Sequence, residues 1–191
     1  MTKLSDKLLL IRLKRKDPEA FGQFYDSYIE KIYRFIYFKV SSTETAQDLT
    51  SETFLKVWQS FTEGKKITHL QAFTYQVAKN LVVDHYRQQA RTTTVSTDDE
   101  TSGVTEIADD QPTAEAVVAL AGDVEHLEAV LAQLKDEYRE IIILKYLDEL
   151  STAEIADILG KTKGNVRVLA HRALQTLREL LEAQQPSHHE Q

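Results

Sequence analysis

The stretch LSTAEIADILGKTKGNVRVLAHRALQTLRELL, Leu150 to Leu181, constrains the fold more than any other part of the chain, because its start and stop signals favour one local arrangement. Ser151 followed by Glu154 forms a capping box: the serine oxygen accepts from an orphan amide while the glutamate side chain reaches back to the Ser151 amide. A helix therefore starts there. Ile155, Ile158 and Leu159 give it one apolar face, Ala156 leaves room for a close helix crossing, and Gly160 stands where a left-handed residue ends a helix without steric penalty. Thr162 then caps a second helix, whose Val166, Leu169, Ala170, Ala173 and Leu177 recur at three- and four-residue spacing as an inward stripe. The unit is a helix-turn-helix.

The same spacing leaves Lys163, Asn165, Arg167, Val168, His171 and Arg172 outward, with Thr162 at the helix start. Cationic heads, an amide and one apolar side chain suit the donor, acceptor and methyl pattern of a DNA major groove. The plain alternative is a helical hairpin with a solvated basic face. Capping box, glycine turn and basic outer face together favour DNA.

The net charge of −7 conflicts with nucleic-acid binding only until it is divided along the chain. Residues 1–95 hold 15 basic against 10 acidic residues (+5), residues 126–191 hold 8 against 11 (−3), and residues 96–125 hold none against 9 (−9). An acidic middle hides a basic N-terminal half. Its Ser-, Thr-, Asp- and Glu-rich composition, poor in aromatics, predicts a flexible linker. The expected organisation is all-α: a helical bundle over 1–95, a linker over 96–122, a helix-turn-helix domain over 123–184 and a tail over 185–191. Cysteine is absent, which excludes disulfides, thiolate metal sites and cysteine nucleophiles. No apolar run approaches the roughly 20 residues that span a bilayer. The N-terminal MTKLSDKLLLIRLKRKD has too short an apolar core for a secretory signal. A cytoplasmic protein without membrane insertion is expected.

In the N-terminal half, Ser5 to Lys16 reads as a short helix ending before Asp17-Pro18. A second helix, Glu19 to Val40, carries Phe21, Phe24, Tyr25, Tyr28, Ile32, Phe35 and Ile36 at helical spacing, so these aromatics are read as core rather than as a stacking platform for bases. A third, Glu44 to Phe61, turns Leu49, Phe54, Val57 and Trp58 inward and keeps Gln47, Asp48, Glu52 and Lys56 on other faces. A loop from Thr62 to His69 holds Lys65 and Lys66. The fourth helix, running to Gln89, hides Phe73, Val77 and Leu81 and offers Lys79, Asn80, Asp84, His85, Arg87 and Arg91. Basic side chains there can track phosphates, and Asn80 can hydrogen-bond a base edge.

Four stretches in order, EAFGQFYDSYIEKIYRFIY, DLTSETFLKVWQSF, AFTYQVAKNLVVDHYRQ and LKDEYREIIILKYLDELSTAEIADILGKTKGNVRVLAHRAL, resemble the extracytoplasmic function sigma factors, the promoter-specificity subunits of bacterial RNA polymerase. The first three resemble sigma region 2 and the last resembles region 4. The resemblance implies that Gln47, Asp48, Leu49, Glu52 and Lys56 bind core RNA polymerase. It also implies that Lys65, Lys66, Phe73, Lys79, Asn80, Asp84, His85 and Arg87 meet the minus-ten element as single strand, with a base flipped near Asn80. Thr162, Lys163, Asn165, Arg167, Val168, His171 and Arg172 are implied to read the minus-thirty-five element of promoter DNA. An anti-sigma factor is an implied partner, and no cofactor is implied.

Two departures from the family pattern stand out. Phe73-Thr74-Tyr75 occupies the place where Trp before Leu-Tyr is frequent. VRVLAHRAL lacks the Ser or Thr and second Arg that often follow the first Arg, so no family consensus is carried over for the upstream element. A response-regulator effector is a competing reading, but the N-terminal half lacks alternating strands and helices and an acidic receiver cluster. An enzyme reading would use His69, Asp84 and His85. Adjacent Asp84 and His85 point to different sides of a helix and no HExxH supports them, so neither enzyme nor metal site is expected.

Overall fold

The computed structural model describes residues 3–92 and 124–184, and among these every regular element is helical. The chain divides into two units, the first ending at Glu100 and the second beginning at Thr101. The expected linker, both of its boundaries and the expected tail lie outside the described residues.

In the first unit α1 (Lys3–Lys14), α2 (Pro18–Val40), α3 (Thr43–Thr62) and α4 (Leu70–Thr92) form a bundle in which α2, α3 and α4 pack on one another and α1 lies against α2 and α3. α1 stops two residues earlier than its sequence suggests, because Arg15 and Lys16 form a turn in which Lys16 takes a left-handed φ of 59°. Asp17 then caps α2: its Oδ1 accepts from the Glu19 and Ala20 amides at 3.0 and 3.3 Å, and its Oδ2 accepts from Arg12 Nε at 2.8 Å. Pro18 follows at the first helical position, where its missing amide costs nothing.

The Arg12 hydrogen bond holds the Asp17 carboxyl below the ordinary aspartate range, with the cap amides acting in the same direction and partial desolvation opposing them. A group depressed in the folded state adds stability that is present above its unfolded pKa and lost as pH falls through the folded value. Replacing Arg12 by Gln is expected to move the Asp17 titration up toward the ordinary range, read by carboxyl NMR. An unmoved titration would assign the depression to the cap amides alone.

Phe24 sits at the centre of the core, with ring centroids 5.2 Å from Phe54 and 5.3 Å from Tyr28, while Tyr75 of α4 meets Phe35 edge-on at 5.3 Å. Phe24, Tyr28, Ile32, Phe35 and Ile36 are buried as their spacing predicts. Tyr25 is not: it is exposed, its ring resting on Phe54 at 4.8 Å, and Phe21 is half-buried against Trp58. The α2 surface covered by α3 and α4 is narrower than its aromatic arc. The Tyr86 hydroxyl donates to the Lys39 carbonyl at 2.6 Å and ties α4 back to α2.

The second unit comprises α5 (Val124–Gln133), α6 (Asp136–Ile142) continuing into a π-helical turn (Ile143–Leu147), α7 (Thr152–Leu159) and α8 (Lys163–Gln184). One guanidinium ends α5: Arg139 donates from Nε to the Leu131 carbonyl at 2.7 Å and from Nη2 to those of Ala132 and Leu134 at 2.8 and 3.1 Å. It supplies donors to carbonyls at the end of the helix, sharing that of Leu131 with the Leu134 amide at 3.2 Å. α8 contacts α5, α6 and α7. Its buried arc is therefore wider than one stripe and includes Val168, Leu174 and Leu181 as well as Val166, Ala170, Ala173 and Leu177.

Candidate functional site

The helix-turn-helix forms as its punctuation dictates. Ser151 Oγ accepts from the Glu154 amide at 3.3 Å and Glu154 Oε2 accepts from the Ser151 amide at 2.9 Å, closing the capping box reciprocally. Gly160 ends α7 at φ 64° and ψ 29°, a conformation that penalises any side chain even though a Cβ there would meet nothing within 4 Å. The Lys161 amide closes on the Ala156 carbonyl at 3.1 Å, and Lys161 Nζ pairs with Glu137 Oε1 at 2.7 Å, which fastens the turn to α6. Thr162 Oγ1 accepts from the Asn165 amide at 3.2 Å and starts α8.

Thr162, Lys163, Asn165, Arg167, His171 and Arg172 are exposed on the first half of α8. Val168 is a correction: read from spacing as outward, it is 7% exposed and packed, whereas Leu169, read as inward, is only half-buried. α8 is packed by α5, α6 and α7, so its buried arc is wider than a single stripe. The outer face is thereby more polar than the sequence suggests, with cations, an amide and an imidazole and no buried valine to offer a thymine methyl.

On the first unit, the loop between α3 and α4 is tightly built. Gly64 takes φ 77°, the Lys65 amide bonds the Ser60 carbonyl at 2.9 Å, and Ile67 is a buried plug at 3% exposure. These constraints push Lys65 and Lys66 out, with Lys65 Nζ 3.5 Å from Glu63. On α4, Asn80, Asp84 and Arg87 are exposed, Lys79 and His85 are half-buried, Arg87 lies 3.7 Å from Asp84, and His85 Nε2 is 3.0 Å from the Gln89 amide nitrogen. Phe73 and Val77, read as hidden, are half-buried; Leu70, Ala72, Thr74, Tyr75, Ala78, Leu81 and Val82 form the true inner face. At three- and four-residue spacing, Phe73, Val77, Asn80, Asp84 and Arg87 share one outer stripe that places a partly open aromatic ring at the head of polar groups. Thr74, which stands where leucine is frequent, and Tyr75 are core: Thr74 Oγ1 donates to the Leu70 carbonyl at 2.8 Å.

On α3, Gln47, Asp48, Glu52 and Lys56 are exposed, with Lys56 Nζ 3.0 Å from Glu52. Leu49 is buried as its spacing predicts: at 8% exposure it lies in the core with Thr53, Phe54 and Val57 and offers little surface of its own. The apolar group that α3 does present is Leu55, 54% exposed and passed over in the sequence. Its signal was available, since Leu55 falls outside the spacing of Leu49, Thr53, Phe54 and Val57.

No group of three or more potential His, Cys, Asp or Glu metal ligands forms among the described residues, and none of their helices is long and apolar enough to cross a membrane.

Residues 24–92 match the family model for sigma-70 region 2, and residues 125–177 match that for sigma-70 region 4. Among relatives, the chain is 33% identical over 183 residues to the ECF RNA polymerase sigma factor BldN of Streptomyces coelicolor, covering 91% of this chain and 64% of BldN. It is 31% identical over 178 residues to the ECF RNA polymerase sigma factor SigW of Bacillus subtilis, covering 89% of this chain and 93% of SigW. The fold is that of CnrH in its complex with the cytosolic domain of CnrY (TM-score 0.68, 20% identity, 94% of this chain and 98% of CnrH). It is likewise that of RpoE from Bartonella quintana in complex with the anti-sigma factor NepR (TM-score 0.63, 21% identity, 86% and 98%). With a region 2 unit followed by a region 4 unit, and a relative matched over nearly its full length, the chain belongs to the extracytoplasmic function sigma factors, the subunits that direct bacterial RNA polymerase to particular promoters.

Proposed function

We propose that the two units divide promoter selection between them. The exposed α3 face, with Gln47, Asp48, Glu52, Lys56 and also Leu55, binds core RNA polymerase. Lys65, Lys66 and the α4 stripe through Phe73, Asn80 and Arg87, flanked by Lys79, Asp84 and His85, engage the minus-ten element as single strand. An open aromatic ring beside cations and an amide can stack a base and hold the strand. Flipping a base there costs a few kcal/mol, offset by pocket and phosphate contacts. Thr162, Lys163, Asn165, Arg167, His171 and Arg172 read the minus-thirty-five element, without Val168. The observation that carries this reading is the presence, in one chain, of a region 2 match and a region 4 match in that order.

The response-regulator alternative is not favoured, because the first unit is a helical region 2 bundle where a receiver would have to stand. Catalysis has no place in the reading: the protein selects promoters, and core polymerase supplies the chemistry in the cytoplasm. Regulation by an anti-sigma factor is proposed from the likeness to RpoE, which was solved with one.

Run-off transcription from a genomic promoter library, using core RNA polymerase with and without this protein, tests the reading. New starts sharing two spaced upstream elements are expected. No new starts from protein that is folded and binds DNA would favour an ordinary regulator.

A further inference from the structure

The +5 of the N-terminal half is not spread over it. Residues 1–16 hold 6 basic against 1 acidic residue and residues 17–95 hold 9 against 9, so the whole excess lies in α1 and the turn that ends it. Arg12 is committed to Asp17 and Glu19, at 2.8 and 3.6 Å. Lys7, Lys14 and Arg15 are exposed. Large apolar side chains seldom reach the surface: among the described residues five are exposed, and two of them, Leu8 at 59% and Ile11 at 50%, stand three residues apart on α1.

Helical spacing gathers these groups. At 3.6 residues per turn, Lys14, Lys7, Ile11 and Leu8 follow one another within about a third of the circumference, and Arg15 stands in the turn that follows. No acidic residue falls in that arc. Leu9, Leu10 and Leu13 line the other side, buried where α1 packs against α2 and α3.

The mixture selects the partner. A DNA backbone offers phosphates to the three cations and nothing to Leu8 and Ile11. A specific protein interface buries about 1,000 Å² or more, and a third of the surface of a 12-residue helix falls well short of that. A layer of anionic lipid headgroups over acyl chains meets both demands, with phosphates for the cations and, beneath them, an apolar medium for the leucine and isoleucine. The net charge of −7 does not oppose this, because charges more than about 8–10 Å away are screened at physiological salt.

We propose that the outer face of α1 docks on an anionic lipid surface. The helix lies in the plane of that surface, with Leu8 and Ile11 entering the headgroup layer and Lys7, Lys14 and Arg15 on lipid phosphates. The contact is peripheral and reversible, since two aliphatic side chains and three cations make an anchor of about the strength of a single acyl chain. It uses none of the residues assigned to polymerase or promoter DNA.

The test is co-sedimentation of the full chain with vesicles, without polymerase or DNA. Vesicles of equal parts phosphatidylglycerol and phosphatidylcholine are expected to carry the protein down, and vesicles of phosphatidylcholine alone are not. Lys14→Gln combined with Arg15→Gln is expected to weaken binding about thirtyfold at low salt. Leu8→Ser combined with Ile11→Ser is expected to weaken it about tenfold, with far-UV circular dichroism and run-off transcription unchanged. Because the chain has no cysteine, Leu8→Cys gives a single point for an environment-sensitive dye, whose emission is expected to shift to the blue on anionic vesicles. The same dye at the exposed Gln76→Cys on α4 is not expected to shift. Should the paired serine changes disturb the helix, the charge pair and the dye still decide. Absence of binding to anionic vesicles overturns the proposal. Binding that the Leu8 and Ile11 changes leave intact also overturns it, because charge alone then holds the protein. Loss of DNA affinity in the Lys14 and Arg15 pair, without vesicle binding, overturns it in favour of a phosphate track for DNA.

Discussion

Arg167→Ala is expected to abolish discrimination among upstream promoter elements while leaving binding to core polymerase intact. Arg167 is exposed one turn into α8, after the Thr162 cap and the Gly160 turn have fixed where that helix begins. A guanidinium at that place can form a bidentate pair with a guanine edge, worth about 1–3 kcal/mol of discrimination, or about five- to 150-fold per base. Lys163, at the first turn, offers a point charge instead. Lys163→Ala is expected to weaken all sites about equally and to lower the salt slope of binding by about one. The measurement is binding and transcription across a library of single-base changes in the upstream element, with core affinity measured in parallel. If Arg167→Ala weakened every site equally, the residue would be a phosphate contact; if it reduced polymerase binding, α8 would be misassigned as the reading helix.

What could be read in the sequence was what neighbouring residues encode. The capping box, the left-handed glycine and the threonine cap each act within a few positions of themselves, and each forms as written. The four helices of the first unit follow from apolar spacing, with ends displaced by one to three residues, as at the Asp17 cap and at the far end of α4, which runs to Thr92. What could not be read was what depends on which helix lies alongside. Tyr25 carries the right residue type and spacing for the core yet is exposed, because the surface that α3 covers ends at Phe54. Val168 and Leu169 divide between core and surface against their spacing on the same ground. The bond by which Arg139 closes α5 spans eight residues and needs the α5–α6 corner to exist first. The candidate interfaces were thus found as elements, and their individual members were sorted only by packing.

Val168→Arg separates the two views of that sorting and is expected to have the largest effect on stability. If Val168 faced the groove, as spacing alone suggests, an added guanidinium would be harmless to folding and would strengthen DNA binding through another phosphate contact. The structure makes the side chain 7% exposed on a helix that contacts α5, α6 and α7. An arginine there must either bury a charge without a partner or force its way to the surface past packed neighbours, at a cost of about 3 kcal/mol or more. That is a large share of the roughly 5–15 kcal/mol that holds a domain folded. The expected result is a second unit that unfolds at markedly lower temperature, seen by circular dichroism or hydrogen exchange over residues 124–184. Upstream-element binding is lost along with it, while the amides of the first unit keep their protection. The neighbouring Leu169→Arg, at a half-buried position, should cost distinctly less. An unchanged melting profile with tighter DNA binding in Val168→Arg would return the residue to the reading face and would turn α8 about its axis relative to α6.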